Sequence, residues 1–174
     1  MSSTMLAFLC GGMEYVPDGG RGWREHLRLW INQELGHRVF DPIIEAQRIL
    51  SEEELANFLK WKCADFERFR KTMRFIINYD LEVMARDADY VVCHWDAGAA
   101  HGGGTHAELT AAFRKGIPVY FVTELPPNDI SGWVLGCADK IFTSFSSLKE
   151  FLTEKYRKQK RGQTTLSSVP SPSG

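Results

Sequence analysis

The segment over residues 102–108 holds the residue types best suited to chemistry, since three glycines precede Thr105, His106 and Glu108. Glycines such as Gly103 and Gly104 let backbone N–H groups at a helix start approach a ligand closely. The pattern predicts Thr105 as N-cap and Glu108 as third helical residue, where the helix dipole favours the ionised carboxylate. A charged carboxylate facing a cleft can act as a nucleophile at a sugar carbon.

The same spacing has a plain structural interpretation. Thr105 and Glu108 match a capping box, in which Glu108 only closes the first turn of its own helix. A cap does not need three glycines before it, so the glycines favour a ligand site.

Asp80 is the second candidate, late in a long helical region that precedes the apolar run beginning at Tyr90. A carboxyl group close to another carboxylate has a raised pKa and can donate a proton. The structural alternative is an ordinary exposed aspartate on a helix.

A second glycine-rich stretch begins at Gly11 and Gly12 and leads into a predicted helix. It matches neither the Walker A pattern nor GxGxxG. Arg21 and Arg24 at the helix start could hold a phosphate or a sugar hydroxyl, or be surface charges. Tyr15 could orient a carboxylate or stack on a base, or fold onto the surface.

The histidines and Asp96 around the third predicted strand suggest a metal, but their spacing fits no common ligand set. We therefore predict no metal site.

Short apolar runs alternate with helical patterns along the chain, which predicts a doubly wound, flavodoxin-like or Rossmann-like parallel sheet with helices on both faces. The predicted strands cover 5–10, 37–40, 90–95, 117–123 and 140–143, and the predicted helices 21–35, 51 to about 84, 105–115 and 146–157. Ligands bind such sheets beyond the carboxyl ends of the strands, at the topological switch point. The loops after the first and third strands are therefore expected to meet there.

Composition restricts the function further. The chain has 174 residues and a formal net charge of −1, which gives no electrostatic basis for binding a nucleic acid polymer or an anionic membrane. Its apolar runs are too short to span a bilayer and its start does not resemble a signal peptide. Four cysteines without a CxxC pair suit a reducing compartment, so we expect a cytoplasmic protein.

Residues 1–157 are predicted to form one domain and the polar residues 158–174 a disordered tail.

An ordered set of motifs resembles the nucleoside 2-deoxyribosyltransferase superfamily, including its nucleoside 5′-monophosphate N-glycosidases. The motifs are Phe8-Leu9-Cys10-Gly11-Gly12, Val39-Phe40-Asp41-Pro42, Asp80 followed by Ala88-Asp89-Tyr90-Val91-Val92, Gly104-Thr105-His106-Ala107-Glu108 with Ala111-Ala112, and Lys115-Gly116-Ile117-Pro118-Val119. Together they span roughly residues 6–123.

This resemblance implies a homodimer or larger homo-oligomer that uses neither a metal nor an organic cofactor. It implies that Glu108 attacks the anomeric carbon to form a glycosyl-enzyme, that Asp80 protonates the leaving base, and that Tyr15 positions the nucleophile or the sugar. A second base or water then accepts the sugar. The implied substrate-binding positions are Gly11, Gly12, Arg21, Arg24, Asp41, Gly103, Gly104, Thr105 and His106.

Gly102 stands where members of the superfamily often carry an Asp or Ser that contacts the 5′ end of the sugar. The sequence therefore does not decide whether the substrate is a nucleoside or its 5′-monophosphate, or whether its sugar is ribose or deoxyribose. Three alternatives use the same elements: a non-catalytic nucleotide or sugar-nucleotide sensor in which Glu108 is only a cap, a phosphoribohydrolase resembling the lonely guy family, and a flavodoxin-like redox protein. Ala100-His101 stands where the lonely guy enzymes carry a proline before the glycines.

Overall fold

A computed structural model describes the backbone of residues 4–166 and the side chains of residues 4–156. Five strands form one sheet: β1 (Leu6–Gly11), β2 (Arg38–Phe40), β3 (Tyr90–His94), β4 (Val119–Val122) and β5 (Lys140–Phe142). The helices are α1 (Arg21–Trp30), α2 (Pro42–Ile49), α3 (Glu52–Ala64), α4 (Phe66–Asp87), α5 (Ala97–His101), α6 (Gly103–Lys115), α7 (Gly132–Cys137) and α8 (Phe145–Leu166).

The sheet is entirely parallel, with strand order β2-β1-β3-β4-β5. The predicted doubly wound α/β fold is confirmed. The order reverses between β1 and β3, which are paired from Ala7 and Tyr90 at one end to Gly11 and His94 at the other. The switch point therefore lies where Gly11 and His94 end their strands, and we call this place the switch edge.

Each face of the sheet is covered by its own set of helices, because successive side chains of a strand point to opposite faces. On one face Phe8 and Cys10 of β1 belong to a core that includes Met84, Leu109 and Val134, from α4, α6 and α7. On the other face Ala7 and Leu9 belong to a core with Leu27, Ile31 and Leu148, from α1, the segment that follows it, and α8.

Two predicted helical regions differ from the structure in their details. The helix predicted over 21–35 is α1 followed by a π-helical segment, Ile31–Leu35, and Gly36 at φ 68° ends it. The region predicted from 51 begins with the expected capping box of Ser51 and Glu54. It breaks at Asp65, whose carboxylate accepts a hydrogen bond from the Arg68 N–H and so starts α4.

Three of the helices, α2, α5 and α7, were not predicted from the sequence. These helices have eight, five and six residues, too short to develop a clear helical periodicity. The signal for α2 was present, since Asp41 caps it by accepting from the Ile43 N–H and Pro42 occupies the first position. At the other end of the chain α8 continues to Leu166, beyond the predicted domain end at 157. The rest of the predicted tail, residues 167–174, lies outside the described residues.

None of the described helices has the length and apolar composition that crossing a bilayer requires. The four cysteine thiols are free, with Cys63 exposed and Cys10, Cys93 and Cys137 buried.

Candidate active site

The loops that follow β1 and β3 pack tightly on each other at the switch edge. A Cβ on Gly12 would lie 2.8 Å from the Ala99 nitrogen, and one on Gly98 would lie 2.4 Å from Cγ1 of Val16. The ring of Tyr15 meets the ring of His101 edge-on at 4.1 Å. The predicted meeting of these two loops is confirmed, and glycine is required where the backbones approach so closely.

Arg24 holds the first loop together from beneath. Its side chain is 1% exposed, and its guanidinium donates hydrogen bonds to the carbonyl oxygens of Gly11 (2.9 Å), Gly12 (3.3 Å) and Gly20 (2.9 Å). Burial lowers the pKa of Arg24, and the negative groups around it oppose that effect. The sequence had suggested that Arg24 contacts a bound phosphate or a sugar hydroxyl. In the structure its buried guanidinium instead positions the loop. Arg21 is exposed at the start of α1.

Glu108 lies in the second turn of α6. The predictions that it is the third helical residue and that it forms a capping box with Thr105 are therefore wrong. The helix begins at Gly103 with Gly102 as N-cap, three residues before the predicted N-cap Thr105, and Thr105 is a buried residue of the first turn. The capping box of Thr105 and Glu108 is therefore not formed. Because the helix dipole acts mainly within the first turn, it does not keep Glu108 ionised.

Burial, followed by the nearby charge of Asp80, raises the pKa of Glu108 to about 8, and Arg24 opposes this rise. Asp80 is 9% exposed on α4, which packs against α6. Burial, followed by the charge of Glu45, raises the pKa of Asp80 to about 7. The two candidate catalytic carboxyls are thus electrostatic neighbours, and both have pKa values moved into the neutral range. Such shifts are typical of functional sites.

No described side chain donates a hydrogen bond to either carboxyl. Neither carboxyl is among the described polar groups that are fully buried without a partner, so their oxygens reach solvent. Like-charged groups in a partly desolvated site destabilise the fold when both ionise. The shifted pKa values make this pair a candidate for a functional role.

The first turn of α6 is exposed at Gly103 and Gly104. A Cβ added to Gly103 or Gly104 would meet nothing within 4 Å, and neither residue has a positive φ. Neither backbone conformation nor internal packing therefore requires glycine at these positions. Because glycine has no side chain, the first N–H groups of α6, which have no partner within a helix, stay accessible.

The remaining predicted site residues have structural contacts of their own. Tyr15 is 46% exposed, with its ring on His101. His106 shares a hydrogen bond of 2.8 Å between its Nδ1 and the Gly102 carbonyl oxygen. Asp41 is buried as the cap of α2, with an oxygen 3.9 Å from Nε of Arg28.

Glu45 is a residue that the sequence analysis missed, because it lies on the unpredicted helix α2. Its side chain is 12% exposed and accepts hydrogen bonds from the Tyr79 hydroxyl at 3.1 Å and from Arg48 at 2.6 Å. It is the charged group that acts most strongly on Asp80. Reading Asp41-Pro42 as a helix start, and not only as a strand end, would have placed Glu45 on a helix.

Among the described residues, no group of three or more His, Cys, Asp and Glu side chains is arranged to hold a metal ion. A shallow apolar groove also runs along α4 and α6, within one turn of Asp80 and Glu108 but containing neither. It is lined by Leu81, Met84, Ala85, Ala111, Arg114 and Lys115.

The chain matches no protein-family model, and a search of curated proteins returns no similar sequence.

Proposed function

We propose that the switch edge binds a nucleoside or its 5′-monophosphate and that the carboxyl pair cleaves the N-glycosidic bond. One observation carries this proposal: Asp80 and Glu108, from two packed helices, are electrostatic neighbours with raised pKa values beside the open, glycine-rich start of α6. Glycosidases usually break the glycosidic bond with two carboxyl groups, one that donates a proton and one that is ionised.

We assign Glu108 as the nucleophile from its position, since it is half-buried beside the exposed helix start whereas Asp80 is buried. The pKa of Glu108, about 8, is higher than that of Asp80, about 7, so the attacking form with its proton on Asp80 is the minor form of the singly protonated pair. In the first step a Glu108 oxygen forms a bond to the anomeric carbon while the bond to the base nitrogen breaks. The base leaves with the electron pair of that bond and takes the proton of Asp80. In the second step another base or water gives its proton to the ionised Asp80, attacks the same carbon and releases Glu108 as a carboxylate.

This chemistry needs the pair to carry one proton. Below about pH 7 both carboxyls are protonated, and above about pH 8 both are ionised. The rate of base release is therefore expected to follow a bell-shaped pH profile with its maximum between these two values.

The test is incubation of the protein with a panel of nucleosides and 5′-monophosphates, with and without a second free base, followed by chromatography. We expect Glu108→Gln to reduce base release by about 10³-fold or more, because no nucleophile remains. Glu82→Gln is the matched control, since Glu82 is 72% exposed on the same helix as Asp80. Mass spectrometry of acid-quenched protein should find a pentosyl adduct on the peptide that contains Glu108.

The proposal fails if no member of the panel loses its base, or if Glu108→Gln is as active as Glu82→Gln. A product of exchange in the presence of free base would distinguish transfer from hydrolysis. Homo-oligomer formation, which the resemblance implies, stays a prediction that light scattering can measure.

A non-catalytic sensor is the second candidate, and one observation favours it. A Glu108 that is largely protonated near pH 7 is a weak nucleophile but can donate a hydrogen bond to a ligand. Calorimetric binding of a nucleotide that remains intact after prolonged incubation would support the sensor over the enzyme.

A further inference from the structure

The first loop, residues 12–20, is closed at its neck by a single buried side chain. The guanidinium of Arg24 donates hydrogen bonds to the carbonyl oxygens of Gly12 at 3.3 Å and Gly20 at 2.9 Å. A Cβ on Gly20 would lie 2.3 Å from the Gly12 oxygen, so the two ends of the loop touch. The Asp18 carboxylate adds to this anchor by accepting a hydrogen bond of 2.8 Å from the Gly20 N–H. Both ends of the loop are thus fixed to each other and to α1.

The tip of the loop, residues 13–17, is tied to α3 by an ion pair. The Glu14 carboxylate and the Lys62 ammonium are 2.5 Å apart, in side chains that are 40% and 43% exposed. These two residues are 48 positions apart in the chain, so the pair joins the tip to a distant helix. The Lys62 ammonium also lies 6.0 Å from the ring centre of Phe69 on α4. Glu14, and more weakly Tyr15, raise the pKa of Lys62, which is therefore charged at neutral pH.

The same tip places Tyr15 beside the start of α6. Its ring meets the ring of His101 edge-on at 4.1 Å, and its Cδ2 lies 3.8 Å from the position that a Cβ of Gly102 would take. Gly102 is the N-cap of α6, so Tyr15 lies next to the exposed helix start. Glu14 immediately precedes Tyr15 in the chain. A tip that lost its attachment to α3 would therefore hold Tyr15 less firmly in this place.

We propose that Lys62 is a positioning residue, which holds the tip of the first loop closed through Glu14 and so keeps Tyr15 beside the start of α6. For its effect on catalysis this inference rests on the proposed function, because Tyr15 matters there only if the start of α6 binds the substrate. Lys62 need not touch the substrate. An exposed ion pair shifts an equilibrium by only about two- to fivefold, which is too little to decide folding but enough to change how often a loop tip opens.

NMR of the ligand-free, full-length protein tests the closure. In Lys62→Met the backbone ¹⁵N order parameters of residues 13–16 should fall by about 0.1–0.2 from a rigid value of about 0.85. The nuclear Overhauser cross-peak between the rings of Tyr15 and His101 should weaken as well. Lys62→Arg keeps the positive charge and should restore both signals.

Arg70→Met is the matched control. Arg70 is 45% exposed and pairs with Glu67 inside α4 at 2.6 Å, so this variant also removes the cation of an exposed ion pair. It should leave the order parameters of the tip and the cross-peak unchanged.

In the reaction, Lys62→Met should affect substrate binding more than turnover. Base release from an uncharged nucleoside should show KM raised about two- to fivefold and kcat within about twofold, since a bound substrate that contacts Tyr15 favours the closed tip. About 0.5 M NaCl should remove the difference between this variant and the wild type, because salt screens an exposed ion pair. Lys62→Arg and Arg70→Met should both remain close to the wild type.

Unchanged order parameters in Lys62→Met would overturn the assignment, as would a loosened tip with an unchanged KM. A loss confined to 5′-monophosphates would also overturn it, because Lys62 would then bind the phosphate itself. The NMR measurement needs no substrate, so the two proposals can fail separately. If the wild type releases no base but the tip loosens in Lys62→Met, the closure by Lys62 stands and the proposed glycosidic chemistry fails.

Discussion

Two buried polar regions lie on opposite faces of the same sheet and differ in how their polar groups are satisfied. One is the carboxyl pair of Asp80 and Glu108, to which no described side chain donates a hydrogen bond. The other, which we call the tyrosine cluster, comprises His37, Tyr90, Tyr120, Lys155 and Tyr156.

The tyrosine cluster is hydrogen-bonded throughout. His37 Nδ1 is 3.1 Å from the Tyr90 hydroxyl, the hydroxyls of Tyr120 and Tyr156 are 3.2 Å apart, and Lys155 donates to Tyr120 at 2.6 Å. The rings of Tyr90 and Tyr156 stack at 5.1 Å. Satisfied polar groups of this kind stabilise a unique packing. The two regions differ in that protein partners satisfy the polar groups of the tyrosine cluster, whereas the carboxyl pair has no such partners among the described side chains and has pKa values raised into the neutral range.

Replacing the cation of each region, Arg24 beside the carboxyl pair and Lys155 in the tyrosine cluster, should give the largest difference between the two regions. We expect Arg24→Met to lower the free energy of unfolding by about 3–5 kcal/mol, because three loop carbonyls lose their donor and Glu108 loses its nearest positive charge. Lys155→Met removes one hydrogen bond from an exposed side chain and should cost about 1 kcal/mol or less. Chemical denaturation measures both values, and equal losses would contradict the contrast.

The pH dependence of stability should come from the carboxyl pair. A carboxyl whose pKa is raised on folding stabilises the fold below its unfolded pKa, and this stability is lost as pH rises through the folded value. For Glu108 the loss runs from about pH 4.5 to about pH 8. Glu108→Gln should therefore raise the free energy of unfolding by about 2–4 kcal/mol at pH 9 and by almost nothing at pH 4.

Urea denaturation across this pH range is the measurement, with Glu82→Gln as the control. If Glu108→Gln and the wild type lost stability in parallel as pH rises, Glu108 would not be a buried acid.

Removal of one hydroxyl from the tyrosine cluster should affect stability without affecting chemistry. Tyr156→Phe deletes the hydrogen bond to Tyr120 and should cost about 1 kcal/mol. Base release should stay within about twofold of the wild type, since the cluster lies across the sheet from the carboxyl pair. A strong loss of activity in a folded Tyr156→Phe protein would remove the distinction between the two regions.

The smallest expected effect on stability is at the open start of α6. Gly104→Ala should stabilise the protein by about 0.5–1 kcal/mol, because alanine favours a helix and its Cβ meets nothing within 4 Å. Its methyl group would stand where we expect the ligand, so base release or nucleotide binding should fall. Gly12→Ala is the contrasting variant, since its Cβ would meet the Ala99 nitrogen at 2.8 Å and should destabilise the fold. Thermal denaturation and activity measured together would separate the two glycines.

By itself the sequence determined the fold class and the meeting of the two loops at which we propose the site. Buried apolar runs such as β1 and β4 alternate with helical patterns, and this alternation permits little besides a doubly wound parallel sheet. The switch-point rule then brings the loops after β1 and β3 together, as the contact of Gly12 with Ala99 confirms.

Only the tertiary structure decided the state of the site residues. The sequence predicted a charged Glu108 from its distance to a helix start, but the N-cap of α6 lies three residues earlier and burial raises the pKa of Glu108. Glu45 and Arg24 reach the pair from α2 and α1, far away along the chain. The physical reason is that helical spacing is local, whereas desolvation and the fields of neighbouring charges depend on which segments pack together in space.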